Sequence, residues 1–280
     1  ARRPAPLILG HEAAGVVSSG SDKGRRVTLN PLVSCGNCEH CKGGRTNICA
    51  TRQIISMPPR EGSFAEQLAM PESNLVTVPE AVPLWQAAMT EPMACGWHAV
   101  KMGLRFSMKT AEESHALVLG GGAIGVGSAL SLAAFGVKRV TIAETNAGRR
   151  KRLQRDLPQF DIVETVNAER APDLVIDAVG YAGTRAIASA VVKPGGVIMH
   201  IGLGASEGGL DVRRMTLQEI VFCGTYTYTA QDFQETAQAI FDGAFGRFDW
   251  VEQRALKDGA QAFDDLHNGR VEAAKIVLMA

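Results

Sequence analysis

The sequence predicts an α/β protein in two parts: a doubly wound parallel sheet with helices on both faces, and an irregular β domain that carries a closed metal lobe. Three observations point there. Beyond Ala116, short apolar runs alternate with helical stretches in the rhythm of a parallel sheet. A glycine-rich turn, Gly120-Gly121-Gly122-Ala123-Ile124-Gly125, follows the first of those runs. Ahead of both, four cysteines crowd into a segment broken by glycine, proline and asparagine. The expected division is 1–91 with 229–280 for the β domain and 92–228 for the sheet domain.

A chain of 280 residues with 46% hydrophobic content can bury a large core. Its 29 basic and 29 acidic side chains cancel, so no net field draws it to nucleic acid or to an anionic membrane surface. Small polar or neutral partners fit better. No apolar run reaches the length of about 18 residues that marks a spanning helix, and no repeat recurs. With cysteines that look free, the expectation is a cytoplasmic protein with neither a nucleic-acid nor a membrane partner.

Each element follows from its local pattern. Gly15-Val16-Val17 and Arg26-Val27-Thr28-Leu29 are short β-prone runs between turn residues. From Leu84 the pattern becomes helical. Residues 116–119, 139–143, 174–178 and 197–201 are short and apolar, as central strands covered on both faces must be, and crossover helices fill the gaps. Ile220-Val221-Phe222 is β-prone and suits either a sheet edge or the core. Phe233 to Phe241 is amphipathic, and the β-prone tail from Ala274 to Leu278 is expected to rejoin the first domain.

Cys35, Cys38, Cys41 and Cys49 stand at gaps of two, two and seven residues. Such gaps let successive thiolates converge on one tetrahedral ion through tight turns, here supplied by Gly36, Gly43 and Gly44, so the cluster reads as a structural zinc site. Disulfide pairing is the bland alternative. A four-thiolate shell is closed to substrate, so chemistry belongs elsewhere.

The turn at Gly120 gives G-x-G-x-x-G between a strand and a helix, the one context in which that pattern means dinucleotide binding. Gly120 makes the turn, Gly122 lets backbone approach a pyrophosphate, and Gly125 lets helix and strand pack closely. Ala123 and Ile124 open the helix, whose bare amides and positive dipole end attract phosphate. Glu144 ends the next strand, 19 residues after Gly125. There a carboxylate accepts from an adenosine ribose and repels a 2′-phosphate, which favours NAD over NADP. Arg149 is placed at the same adenosine end, although Arg149 and Arg150 also suit a solvated helix face. Asp177-Ala178-Val179-Gly180 and Pro194-Gly195-Gly196 fit cofactor-lining backbone and plain turn chemistry equally.

Hydride transfer needs an electrophile beside the nicotinamide, and Gly10-His11-Glu12 offers a nitrogen and a carboxylate suited to zinc. Taken with the four-cysteine lobe about 25 residues later, Glu91-Pro92-Met93-Ala94 and the GGGAIG turn, the chain resembles zinc-dependent medium-chain alcohol dehydrogenases along essentially its whole length. The resemblance implies a GroES-like β domain, a Rossmann domain and a cleft between them. It carries a catalytic-zinc role to His11, with Glu12 a ligand or close neighbour and Glu91 at the next site position. Simple-alcohol enzymes of the family usually place cysteine at that position, whereas sorbitol-like polyol dehydrogenases have glutamate followed by proline, as here. Helix N-terminal capping is the structural alternative for Glu91. Cys95, Trp97 and His98 read as packing groups.

Family members place a first zinc-ligating cysteine, and a Ser or Thr that relays the proton, well upstream of Gly-His-Glu. The loop 20–25 is also shorter than theirs, so further native chain is expected beyond this sequence. The implied activity is hydride transfer between NAD and a secondary alcohol or polyol, in a homodimer or homotetramer. A simple-alcohol dehydrogenase, a zinc-independent quinone reductase, a catalytically silent dinucleotide-binding regulator and a zinc-lobe nucleic-acid binder, the last disfavoured by the neutral net charge, are the alternatives.

Overall fold

The computed structural model describes residues 3–167 and 171–280, which form two compact units. The first comprises Ala1–Ala94, Tyr228–Arg270 and Ile276–Ala280; the second comprises Cys95–Thr227 and Val271–Lys275. The division falls inside a helix, where no change of composition marks it.

In the first unit, β1 (Ala14–Val16) pairs antiparallel with β2 (Arg26–Leu29). β3 (Leu32–Val33) and β4 (Gln53–Ile54) form a separate two-residue ladder, with the single-turn α1 (Glu39–Lys42) between them in the cysteine lobe. β5 (Leu75–Thr77) completes a three-stranded sheet in the order β1-β2-β5. Central β2 buries Val27, Thr28 and Leu29. The Thr28 hydroxyl donates to Ala13 O at 3.1 Å and Ala87 O at 2.9 Å, so the sheet is tied to α2 (Leu84–Ala87) by a satisfied polar bond. α3 (Thr90–Phe106) follows and leads into the second unit.

The second unit runs β6 (His115–Leu119), α4 (Ala123–Ala134), β7 (Arg139–Ala143), α5 (Ala147–Asp156), β8 (Asp161–Val163), β9 (Leu174–Asp177), α6 (Ala182–Val191), β10 (Val197–His200), α7 (Val212–Leu217) and β11 (Val221–Gly224). All six strands are parallel, in the order β11-β10-β9-β6-β7-β8. Leu174, Val175 and Ile176 of β9 have no exposed surface, as a strand covered on both faces requires. Strand order reverses between β6 and β9, where Leu119 lies opposite Asp177. Open α/β sheets bind ligands outside the carboxyl ends of the strands at such a switch point.

The expected strands at 174–178 and 197–201 each end one residue earlier, at Asp177 and His200. β8 was not anticipated: three residues at a sheet edge, with only Ile162 buried, leave too short a pattern to read. Ile220 lies in the core against Val191 and Ile198, and the strand that follows it is the sheet's outer edge.

The chain then returns to the first unit. Thr229 and Asp232 bond reciprocally to open α8 (Ala230–Phe241) with a capping box. β12 (Val251–Ala255), α9 (Gly259–His267) and β13 (Lys275–Met279) complete the chain, with β12 and β13 paired. Among the described residues no helix is long and apolar enough to cross a membrane.

Gly125 is the tightest point of the α4 approach to the sheet: a Cβ there would lie 1.8 Å from Gly120 O. Gly125→Ala is therefore expected to cost about 1–3 kcal/mol by overpacking, read as a lower urea midpoint. An unchanged midpoint would contradict the packing.

Candidate active site

The metal-binding candidates sit in the first unit. Residues 8–10 lie against 62–64 through main-chain bonds: Gly62 N–H donates to Ile8 O at 2.8 Å, Phe64 N–H to Leu9 O at 2.8 Å and Ser63 N–H to Gly10 O at 2.9 Å. Two glycines make this possible. A Cβ on Gly62 would lie 2.3 Å from Leu9 O, and Gly10 adopts φ +94° where its Cβ would lie 2.8 Å from Ser63 Oγ. The next two residues are His11 and Glu12, after which Ala13 accepts from Leu29 N–H of β2 at 3.3 Å. His11 and Glu12 are therefore held between two main-chain anchors.

Glu91 comes from the first turn of α3, 5% exposed. The hydroxyl of Thr90 beside it bonds Ala87 O at 2.7 Å. One ligand atom from each of His11, Glu12 and Glu91 lies within 4.8 Å of the others. An imidazole nitrogen and two carboxylates form a donor set that zinc accepts, and three protein donors leave a position open. Cys95 is buried outside this group, and Trp97 packs on Phe135 with ring centroids 4.4 Å apart.

The four sulfurs of Cys35, Cys38, Cys41 and Cys49 also converge within 4.8 Å. Cys38 N–H points at Cys35 Sγ at 3.4 Å, and Cys35 N–H at Cys49 Sγ at 3.5 Å. None of the six cysteines is in a disulfide, so none competes for the lobe. Gly36 and Gly44 take positive φ at +73° and +77°, as tight turns demand, whereas Gly43 at φ −83° needs no glycine for its backbone. The backbone N–H groups of Asn37 and Cys38, then the side chains of Cys49 and Thr51, lower the Cys35 thiol to about 6. Withdrawal from water, then the Cys38 thiol, raises Cys41 to about 11. Four crowded thiols cannot all ionise alone; a dication draws off the remaining protons.

The glycine turn sits in the second unit at the switch point. Gly120 has φ +97°, and its Cβ would meet Val179 Cγ2 at 2.5 Å. Gly122 begins α4 without a side-chain cap, nothing lies within 4 Å of where its Cβ would be, and Ala123 and Ile124 form the first helical turn. Uncapped amides beside open space at a helix start fit an anionic group.

Glu144 is 6% exposed and turned toward this turn: Oε2 accepts from Gly121 N–H at 2.9 Å and Oε1 from Asn146 N–H at 2.7 Å. Arg149 Nη1 lies 3.4 Å from Oε2, and Arg149 Nε is buried without an acceptor among the described residues. A carboxylate has about four acceptor sites, so capacity remains for a ribose hydroxyl. The solvated helix face considered for Arg149 and Arg150 is not what forms, because Arg150 bonds Glu144 O at 2.8 Å and Glu164 at 3.1 Å.

Cofactor lining and turn chemistry fit Asp177 equally well in sequence. Fully buried, its carboxylate accepts from Val179 N–H at 3.1 Å, Gly180 N–H at 2.9 Å, Thr184 Oγ1 at 3.0 Å and pairs with His200 Nδ1 at 3.2 Å. It shapes the turn that touches Gly120. The interacting Thr184 and His200 left no local signal in sequence. Pro194-Gly195-Gly196 precedes β10 and so lies at the amino ends of the parallel strands, away from the glycine turn; it is a connecting turn.

Comparison with known proteins supplies independent findings. Residues 1–80 match the family model for the alcohol dehydrogenase GroES-like domain, and residues 123–242 match that for zinc-binding dehydrogenases. The chain is 29% identical over 244 residues to an L-idonate 5-dehydrogenase of Vitis vinifera, covering 80% of this chain and 65% of that protein. It is 29% identical over 244 residues to a sorbitol dehydrogenase of Arabidopsis thaliana, with the same 80% and 65% coverage. This sequence thus spans about two thirds of the length of those relatives. The solved structure of acetophenone reductase from Geotrichum candidum in complex with NAD superposes with a TM-score of 0.84 at 25% identity, over 96% of this chain and 80% of that one.

After zinc is stripped, iodoacetamide at neutral pH is expected to label Cys35 well before Cys41, because only the former is then largely thiolate. Equal labelling rates would contradict this ordering.

Proposed function

Because this chain belongs to the zinc-dependent medium-chain dehydrogenases, on their polyol-dehydrogenase branch, we propose that it transfers a hydride between NAD and a secondary alcohol or polyol. The observation that carries the reading is the convergence of His11, Glu12 and Glu91 within 4.8 Å, a zinc donor set with glutamate where simple-alcohol enzymes of the family usually carry cysteine. When bound, zinc supplies a Lewis acid for the substrate oxygen and NAD supplies a two-electron acceptor.

The roles of the chain's own residues follow. His11, Glu12 and Glu91 hold the reactive metal, and the negative charge of the two carboxylates offsets the desolvation of a dication beside the buried Glu91. Cys35, Cys38, Cys41 and Cys49 hold a second ion that stiffens the lobe from Cys35 to Cys49 without touching substrate. Gly122, Ala123 and Ile124 present main-chain amides to the pyrophosphate, with Gly122 leaving room for its approach, while Gly120 makes the turn with its own N–H bonded to Ala143 O at 2.8 Å and Gly125 lets α4 pack against that turn. Glu144 binds the adenosine ribose. Arg149, held beside Glu144, is thereby neutralised as a partner for a 2′-phosphate, which supports NAD over NADP. We also place the protein in the cytoplasm as a homodimer or homotetramer, and β11 at the outer edge of the sheet is a strand that a second copy can extend.

Full-length protein assayed with NAD and a polyol panel should oxidise secondary hydroxyls. His11→Ala is expected to lower kcat by more than about 100-fold, the scale of losing one transition-state stabilising group, with NAD affinity unchanged. Normal turnover in that variant would remove His11 from the mechanism. Glu144→Ala should weaken NAD binding by about tenfold or more, as loss of charge-assisted hydrogen bonds does, and unaltered binding by calorimetry would contradict the adenosine placement.

A further inference from the structure

We propose that Tyr228 is a positioning residue of the metal centre, holding the Glu91 carboxylate in the orientation its donor role needs. The inference rests on the reading of His11, Glu12 and Glu91 as that centre.

The Tyr228 hydroxyl donates to Glu91 Oε1 at 2.8 Å, across 137 residues of chain. Both groups are enclosed, Tyr228 with no exposed surface and Glu91 with 5%. A buried phenol needs an acceptor and a buried carboxylate needs donors, so this bond meets a requirement on both sides and its loss is costly. The phenol itself cannot swing. Its ring lies 5.6 Å from that of Phe233, itself 1% exposed, and the next residue, Thr229, is locked into the capping box of α8.

A glutamate has three rotatable bonds, and its place in the first turn of α3 fixes only where the side chain starts. A rigid donor at Oε1 selects one setting of the carboxylate plane. Outer groups that hydrogen-bond to a metal-ligating carboxylate act in this way, orienting the ligand before the ion arrives. The chemistry of the prop matters as well. A lysine or arginine at 228 would bring a cation to compete with zinc for Glu91, whereas a hydroxyl orients the carboxylate and leaves the donor set its full charge.

The test is zinc affinity of the full chain, measured by chelator competition, with cobalt(II) spectra of the non-thiolate site. Tyr228→Phe removes one oxygen and keeps the ring. It should weaken the non-thiolate zinc by about 10- to 100-fold, leave the four-cysteine zinc unmoved and shift the cobalt d–d bands. Phe233→Leu disturbs the ring packing and keeps the hydroxyl; it should lower the melting temperature with little change in zinc affinity. Wild-type affinity in Tyr228→Phe, or equal losses in both variants, overturns the proposal. The chain has three tyrosines, so a Tyr181→Phe/Tyr226→Phe background with position 228 intact gives a reading free of any folding defect at that position. There the second zinc equivalent should shift the near-UV tyrosine absorption, and a flat difference spectrum overturns the proposal. Wild-type protein that takes up only the thiolate-bound zinc instead removes the donor-set reading, and this inference falls with it.

Discussion

Close contact between main-chain segments, permitted by glycine, is the constraint on which both candidate sites depend. In the first unit Gly62 lets residues 62–64 lie directly on residues 8–10, and Gly10 turns the chain so that His11 and Glu12 emerge beyond that contact. In the second, Gly125 brings α4 against Gly120 O, which leaves the α4 amides uncapped at the carboxyl end of β6. Gly180 and Gly202 make a third approach, with a Cβ on Gly180 falling 2.2 Å from Gly202 O. A side chain at Gly62, Gly125 or Gly180 would push apart backbone that cannot yield as a flexible side chain can.

Charge placement follows from that framework. The first unit brings two carboxylates and an imidazole together, with Glu91 buried and His11 and Glu12 half-buried, an arrangement that a cation stabilises. The four-thiol lobe has the same logic in softer donors: Cys35 and Cys49 are lowered while Cys41 is raised, which is how a crowded cluster shares its protons. In the second unit the roles reverse. Backbone amides supply positive potential at the glycine turn, and the carboxylates of Glu144 and Asp177 are used to brace main chain around it.

Much of this was legible in sequence because the informative patterns are local. Cysteine gaps of two encode a metal knuckle directly, and G-x-G-x-x-G after an apolar run encodes strand, turn and helix together. The three-residue β8 was missed because an edge strand with one buried side chain has no pattern to detect. The Arg150 bonds to Glu144 O and Glu164 were also hidden, since a basic run on a helix looks the same whether it is solvated or bonded. Tyr228 is the strongest case. Its partner is 137 residues away, and a Thr-Tyr-Thr-Tyr stretch gives no sign of which ring will be buried or what its hydroxyl will meet. Gly62 likewise reads as an ordinary loop glycine until residues 8–10 are seen lying against it.

Two chemically distinct metal positions in the first unit, one of sulfur and one of nitrogen and oxygen, underlie the proposed chemistry. Zinc X-ray absorption on the full chain, with metal counted per polypeptide, tests this most directly. Two zinc ions per chain are expected, with the scattering neighbours divided about equally between sulfur and lighter donors. A single zinc in a purely sulfur shell would contradict a metal-binding role for His11, Glu12 and Glu91.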